Sequence, residues 1–283
     1  MIRAPLGDKS YWDKCRAKDL EWIERVNQML ATPTANPMYE PQFLFNFAKH
    51  NLRAGIRVYS EGGDVEEIAA YFPRLLDAWE LSNRVSAEVC AENGLQTCRD
   101  WVFELADLNH YIWCFWLVGL ALALELPDDQ WLRLVTLIGA EGQDILLDRI
   151  IAFRQPGRVI GQQLLHAKPY ARLLRAIDAP EAQQAGLLRA FVEHWYPELN
   201  RRGRQQPWWY IYGDPVKHPL EMGSYFGRWS FEAVAAVKAF GMDDSACIGH
   251  EHYPGDLLHP REAEAVVANP SIKLGWWSRL LGK

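Results

Sequence analysis

Cysteine is scarce in this chain of 283 residues and follows no motif. There are five, Cys15, Cys90, Cys98, Cys114 and Cys247, and no pair has CxxC spacing. An odd, scattered set supplies no disulfide framework, so buried reduced thiols are expected, with a Cys90–Cys98 disulfide as the alternative. Long apolar runs are missing too. The longest, Tyr111 to Leu124, has fourteen residues and ends at Glu125, short of the roughly 20 that span a bilayer. The N-terminal Met1–Asp8 stretch lacks the apolar core of a signal peptide. Together these absences point to a cytoplasmic protein that does not enter a membrane.

An excess of positive charge is also lacking. Thirty Lys and Arg face 36 Asp and Glu, a net charge of −6. That argues against direct binding of nucleic acid, which needs cations to displace the counterions of phosphates. No alternating β-pattern of useful length occurs. GxSxG, Walker-type and GxGxxG motifs are all absent, and no Cys/His pairing has a recognisable context. Catalytic residues and cofactors are therefore not assigned, and no enzyme is expected.

What is present is helical periodicity nearly throughout, and the expected class is all-α, two helical modules packed together. Tyr11, Cys15, Leu20, Trp22, Ile23, Val26 and Leu30 mark an amphipathic helix over 9–30. A second is expected from Pro41 to Tyr59, stopped by Gly62-Gly63. A third, capped by Asp64 with Glu66 and Glu67 in its first turn, runs to Asn93 with Pro73 as a kink or boundary. The 97–126 segment is apolar on most sides after Asn109, the mark of a central helix. Pro127-Asp128-Asp129 then starts another, with an aspartate as its N-cap. Further helices are expected near 170–177, 181–195 and 225–240, with a short one near 261–268. Residues 111–129 and 225–244 echo each other, each an aromatic-led segment closed by an Asp-Asp turn. The division expected is an acidic module over 8–126, a second module over 127–262 and a tail over 263–283.

The mild net charge is a cancellation. Residues 60–148 carry 17 acidic and 4 basic side chains, whereas 149–217 carry 5 and 11. Such an acidic face usually only solvates, but it can also imitate a phosphate backbone and enter a cationic groove. Three other clusters have plainer explanations. His250, His252 and Asp256 are metal-ligand types without HExxH spacing and suit a turn; a helical metal-dependent hydrolase is the reading they would support. Arg201-Arg202-Gly203-Arg204 beside Trp208-Trp209-Tyr210 suits a solvated connector better than a base-stacking site. Trp276-Trp277 suits a docked terminal helix better than a membrane contact. A scaffold that only self-associates is a third reading.

One stretch is more specific. Tyr225 to Ala233, then Gly241-Met242-Asp243-Asp244-Ser245, then His252-Tyr253-Pro254-Gly255-Asp256-Leu257, closely resembles the C-terminal domain of the PoNi-like immunity proteins. The matching positions include Trp229, Phe231, Glu232, Asp243, Asp244, Tyr253, Pro254 and Asp256. Leu124 to Asp129 and Leu146-Leu147-Asp148 resemble the entry into that domain; the acidic helices upstream are similar to the N-terminal domain without a sharp motif. The resemblance implies an all-helical, non-enzymatic inhibitor whose partner is a cognate nuclease effector of a type VI or related secretion system. It leaves homodimerisation open. Physically, Trp229 and Phe231 read as core, Glu232 as a buried acceptor, and Asp243 and Asp244 as caps. The toxin-contacting surface must vary between members to confer specificity. It is therefore expected among exposed acids: Asp64, Glu66, Glu67, Asp77, Glu80 and Glu88.

Overall fold

A computed structural model describes residues 1–31, 36–95 and 103–259, with no strand among them. Ten α-helices are described: α1 (Lys9–Leu30), α2 (Glu40–Glu61), α3 (Val65–Ala69), α4 (Tyr71–Glu92), α5 (Leu108–Ala123), α6 (Asp128–Ile138), α7 (Ile145–Ala152), α8 (Ala167–Asp178), α9 (Glu181–Glu198) and α10 (Phe231–Phe240). The all-α expectation holds. The expected short helix near 261–268 and the Trp276-Trp277 tail lie outside the described residues.

Local signals explain most boundaries. The Asp8 carboxylate accepts from the Tyr11 N–H at the start of α1, and Gly62, at φ +97°, closes α2 in the left-handed conformation. The expected 64–93 helix is broken at Ala70 into α3 and α4. Pro73 falls in the first turn of α4, where a missing N–H costs nothing, so it does not kink the helix. Asp64 stands at the N-terminus of α3, but its side chain makes no capping bond. Before α6 the cap position is Pro127, and Asp128 and Asp129 sit in the first turn.

The central helix is shorter than expected. Asp107 accepts from the N–H groups of Asn109 at 2.7 Å and His110 at 3.4 Å, so α5 begins at Leu108. From Tyr111 to Ala123 every residue is buried, as an all-round apolar helix requires. The expected 225–240 helix loses its first third: it starts at Phe231, because Gly227 adopts φ +103° and a Cβ there would collide with Ser60 Oγ and Trp229 Nε1. The echo between 111–129 and 225–244 thus fails in its aromatic part, helical in one and extended in the other.

Two helical layers share one apolar core. On one side α2 packs on α1, α3 and α4, and α4 on α6. On the other α8 packs on α9, and α10 on α5, α7 and α8. Residues from α1 to Leu257 belong to a single buried cluster. Gly119 permits the close approach of α5 to α10, since a Cβ there would strike the backbone carbonyl of Phe231. Cys15, Cys114 and Cys247 are buried free thiols. Cys90 is disulfide-bonded, which corrects the expectation of five reduced thiols; Cys98 lies outside the described residues.

Candidate partner-binding surface

The six acids expected to face a partner sit on α3 and α4 and have two different fates. Asp64, Glu66 and Glu88 are exposed and make no ion pair among the described residues. The other three are engaged within the chain. Arg16 of α1 bridges Glu67 and Glu61. Arg133 of α6 reaches across to α4, where Nη2 contacts Asp77 at 2.6 Å and Nε and Nη2 hold Glu80 at 2.7 Å each. Asp77, Glu80, Arg84 and Glu88 follow the i, i+3/i+4 spacing of one helix flank, so an exposed arginine interrupts the acidic stripe. At 1.5 Å per residue, Glu88 lies about 16 Å beyond Asp77.

Other acids of the 60–148 segment are buried altogether. Asp144 accepts from the N–H groups of Leu146, Leu147 and Leu165 and from the Tyr111 hydroxyl, at 2.8–3.0 Å. Asp148 accepts from the N–H groups of Gly142, Asp144 and Gly161 and from Arg158 Nε at 2.6 Å. These two carboxylates stitch the 139–165 loops onto α7. The segment's negative surface is therefore weaker than its composition.

The motif residues in the C-terminal half hold the fold together. Trp229 Nε1 donates to Ser60 Oγ at 2.8 Å, and Ser60 Oγ donates to the Phe226 carbonyl at 2.7 Å, pinning the extended 225–229 segment to α2. The Trp229 ring meets Tyr59 edge-on at 5.0 Å, and Phe231 is core. Glu232 is fully buried. Its Oε1 accepts from Tyr170 Oη at 2.9 Å and Trp195 Nε1 at 3.1 Å. Burial outweighs these bonds and raises its pKa to about 7.

Asp243 caps the next turn by accepting from the Ser245 N–H at 2.9 Å. Asp244 does not cap. It is buried and accepts from the Tyr253 hydroxyl, with His259 Nε2 at 2.8 Å. Pro254 is buried beside them. Asp256 pairs with Arg3 and accepts from the Tyr59 hydroxyl, tying the N-terminus to this turn.

His250, His252 and Asp256 are not brought onto one point. His252 Nδ1 lies 3.0 Å from the Arg228 carbonyl, and its ring packs 5.0 Å from Tyr196 and 5.6 Å from Trp195. Asp256 is occupied by Arg3 and Tyr59. Among the described residues, no three His, Cys, Asp or Glu side chains are grouped to hold a metal ion. Trp208 and Trp209 pack inward, on Trp113 at 6.0 Å and Trp195 at 5.9 Å, as the connector reading required. No described helix is long and apolar enough to cross a membrane.

A basic row on α2 escaped the sequence reading. Lys49, Arg53 and Arg57 stand at i, i+4 and i+8, which places them on one flank. The signal was legible in spacing but hidden in a segment with a net charge of only +3 over residues 1–59. Arg57 pairs with Asp19 at 2.5 Å. Lys49 and Arg53 have no such partner among the described residues.

The overall fold is shared with a solved protein, PA2201 from Pseudomonas aeruginosa. The TM-score is 0.70 with 17% identity, over 92% of this chain and 91% of that one. At that identity the likeness speaks for fold alone. No curated protein sequence matches. Two family profiles do: the N-terminal region of PoNe immunity proteins over residues 3–136, and their C-terminal region over residues 142–257. The C-terminal match contains the Trp229–Leu257 motif, and the N-terminal match covers α1 to α6, where no sharp motif was visible. With both regions matched in order along nearly the whole length, the chain belongs to the PoNe immunity protein (PoNi) family.

Proposed function

We propose that this chain neutralises a cognate secreted nuclease effector, of the type VI or a related system, inside the producing cell, by binding it and without catalysis of its own. The observation carrying this reading is the paired family match over residues 3–136 and 142–257. The motif residues serve packing, which leaves specificity to exposed side chains. Asp64, Glu66 and Glu88 are exposed acids that make no ion pair among the described residues. They suit a nuclease, whose substrate-binding groove must be cationic to hold a polyanion. Opposed charge would speed the encounter, and occlusion of the groove would silence the enzyme.

Co-purification with the product of the adjacent effector gene, and survival of cells expressing that effector, test the proposal directly. No complex and no protection would overturn it. For the surface, Asp64→Lys with Glu66→Lys and Glu88→Lys is expected to slow association while helical content stays unchanged. Unaltered kinetics would move the interface elsewhere.

A further inference from the structure

A cavity of about 480 Å³ opens beside α2, bounded by the start of α5 and the 208–212 connector. That volume lies within the usual range for a small-molecule site. Its polar lining is almost all donor. Lys49 and Arg53 enter from one flank of α2, and neither makes an ion pair or a hydrogen bond among the described residues. Arg53 Nε is buried without a hydrogen-bond partner, and its guanidinium stands 5.9 Å from the Trp208 ring. Lys49 Nζ lies 4.9 Å from the Phe45 ring.

Neighbouring amides add to this polarity. The Asn109 carbonyl oxygen is taken by the Trp208 N–H at 3.1 Å, and that of Asn46 by Gln42 at 3.1 Å. Neither NH₂ group donates to a described residue. His110 accepts the Glu104 N–H on Nδ1 at 3.0 Å, which puts any proton of the neutral ring on Nε2. The carboxylate on the rim, Asp107, caps α5 through Oδ1 and is the negative group that an anion in the cavity would have to avoid.

Two cations side by side, with no hydrogen-bonded counter-ion among the described residues, are a costly arrangement. Burial lowers the pKa of both, and each feels a further cation, Lys49 feeling Arg53 and Arg53 feeling Arg57, which Tyr212 and Asp19 offset only in part at Arg53. An anion between them would remove that cost. The remaining walls are flat rings, among them Trp113, Trp208 and Tyr212, which favour a planar body beside the charge. We propose that this cavity binds a small oxyanion carried on a planar ring, with Lys49 and Arg53 holding the phosphate or carboxylate and the aromatic walls holding the ring.

Calorimetric titration of the full chain, without any toxin, tests this independently of the immunity reading. The probes are adenosine 5′-monophosphate, benzoate and inorganic phosphate. Saturable one-to-one binding of a ring-bearing probe, tighter than inorganic phosphate and weakened by salt, is expected. Preference for the nucleotide assigns a phosphate; preference for benzoate assigns a carboxylate. Arg53→Gln and Lys49→Gln should each weaken binding about tenfold or more, while Glu181→Gln at the start of α9, outside the cavity lining, leaves it unchanged. Because Arg53 makes no hydrogen bond or ion pair among the described residues, Arg53→Gln should melt no lower than the parent. The proposal is overturned by absence of saturable binding of all three probes at millimolar concentration, by binding indifferent to both substitutions, or by unfolding of Arg53→Gln.

Discussion

Arg133 on α6 grips the Glu80 carboxylate of α4 with two nitrogens, Nε and Nη2, each at 2.7 Å. Nη2 simultaneously reaches Asp77. One guanidinium thus engages two acids that the sequence reading placed on a free negative face, and offsets one of their two charges. The Arg133→Gln variant is expected to lose only about 0.5–1 kcal/mol of stability, since Asp77 and Glu80 are largely solvated. It should also raise the association rate with a cationic partner a few-fold at low salt. Stopped-flow binding across a salt series would show this; a slower encounter would mean that Arg133 itself touches the partner.

Glu232 makes stability depend on pH. Its buried carboxyl has a pKa raised to about 7 against an ordinary 4.5. Below pH 4.5 it is protonated in both folded and unfolded chains and contributes no difference. As pH climbs, the unfolded chain releases this proton first, so stability falls until the folded group also ionises. Across that window the loss is about 3 kcal/mol. Urea midpoints at pH 5 and pH 7 should therefore diverge more for the parent than for Glu232→Gln, which keeps an acceptor for Tyr170 and Trp195 but does not titrate.

Asp148 and Arg158 form a buried pair whose partners are unequal. Without Arg158, the Asp148 carboxylate keeps three backbone N–H donors. Without Asp148, Arg158 keeps the Gly139 carbonyl at 3.1 Å and little else. Asp148→Ala should cost about 3–5 kcal/mol, and Arg158→Met at least about 1 kcal/mol less. Chemical denaturation of both variants measures the asymmetry; equal losses would show that the three N–H groups do not stabilise the charge.

The contact of α5 with α10 has no room for a methyl group. A Cβ on Gly119 would strike the carbonyl oxygen of Phe231 and lie 3.0 Å from its Cβ. Backbone would have to move, so Gly119→Ala should cost about 2–3 kcal/mol despite alanine's better helix propensity. A melting curve at or above the parent's would show that the helices are not in direct contact there.

The sequence by itself determined which segments are helical and where most of them stop, because periodicity, capping aspartates and glycines act within a few residues. It also marked the Trp229–Leu257 motif, and it correctly assigned Trp229 and Phe231 to the core. Local rules failed where a distant group intervened. Asp244 has the look of a cap, yet it accepts from Tyr253. Tyr225 to Trp229 has a helical pattern, yet the segment is non-helical, with its Phe226 carbonyl held by Ser60, more than 160 residues earlier in the chain.

Charge was the least legible property. Summing residues 60–148 counted Asp77, Glu80, Asp144 and Asp148 alongside Asp64 and Glu88, because a sum cannot register which acids lie against a cation or a backbone N–H and which face solvent. Tertiary structure alone decided which acids are spent on Arg133 and Arg158 and which face solvent. It also decided that Lys49 and Arg53 stand beside a cavity without an ion pair among the described residues. Pairing is set by through-space distance between elements remote in the chain, and only packing brings those elements together.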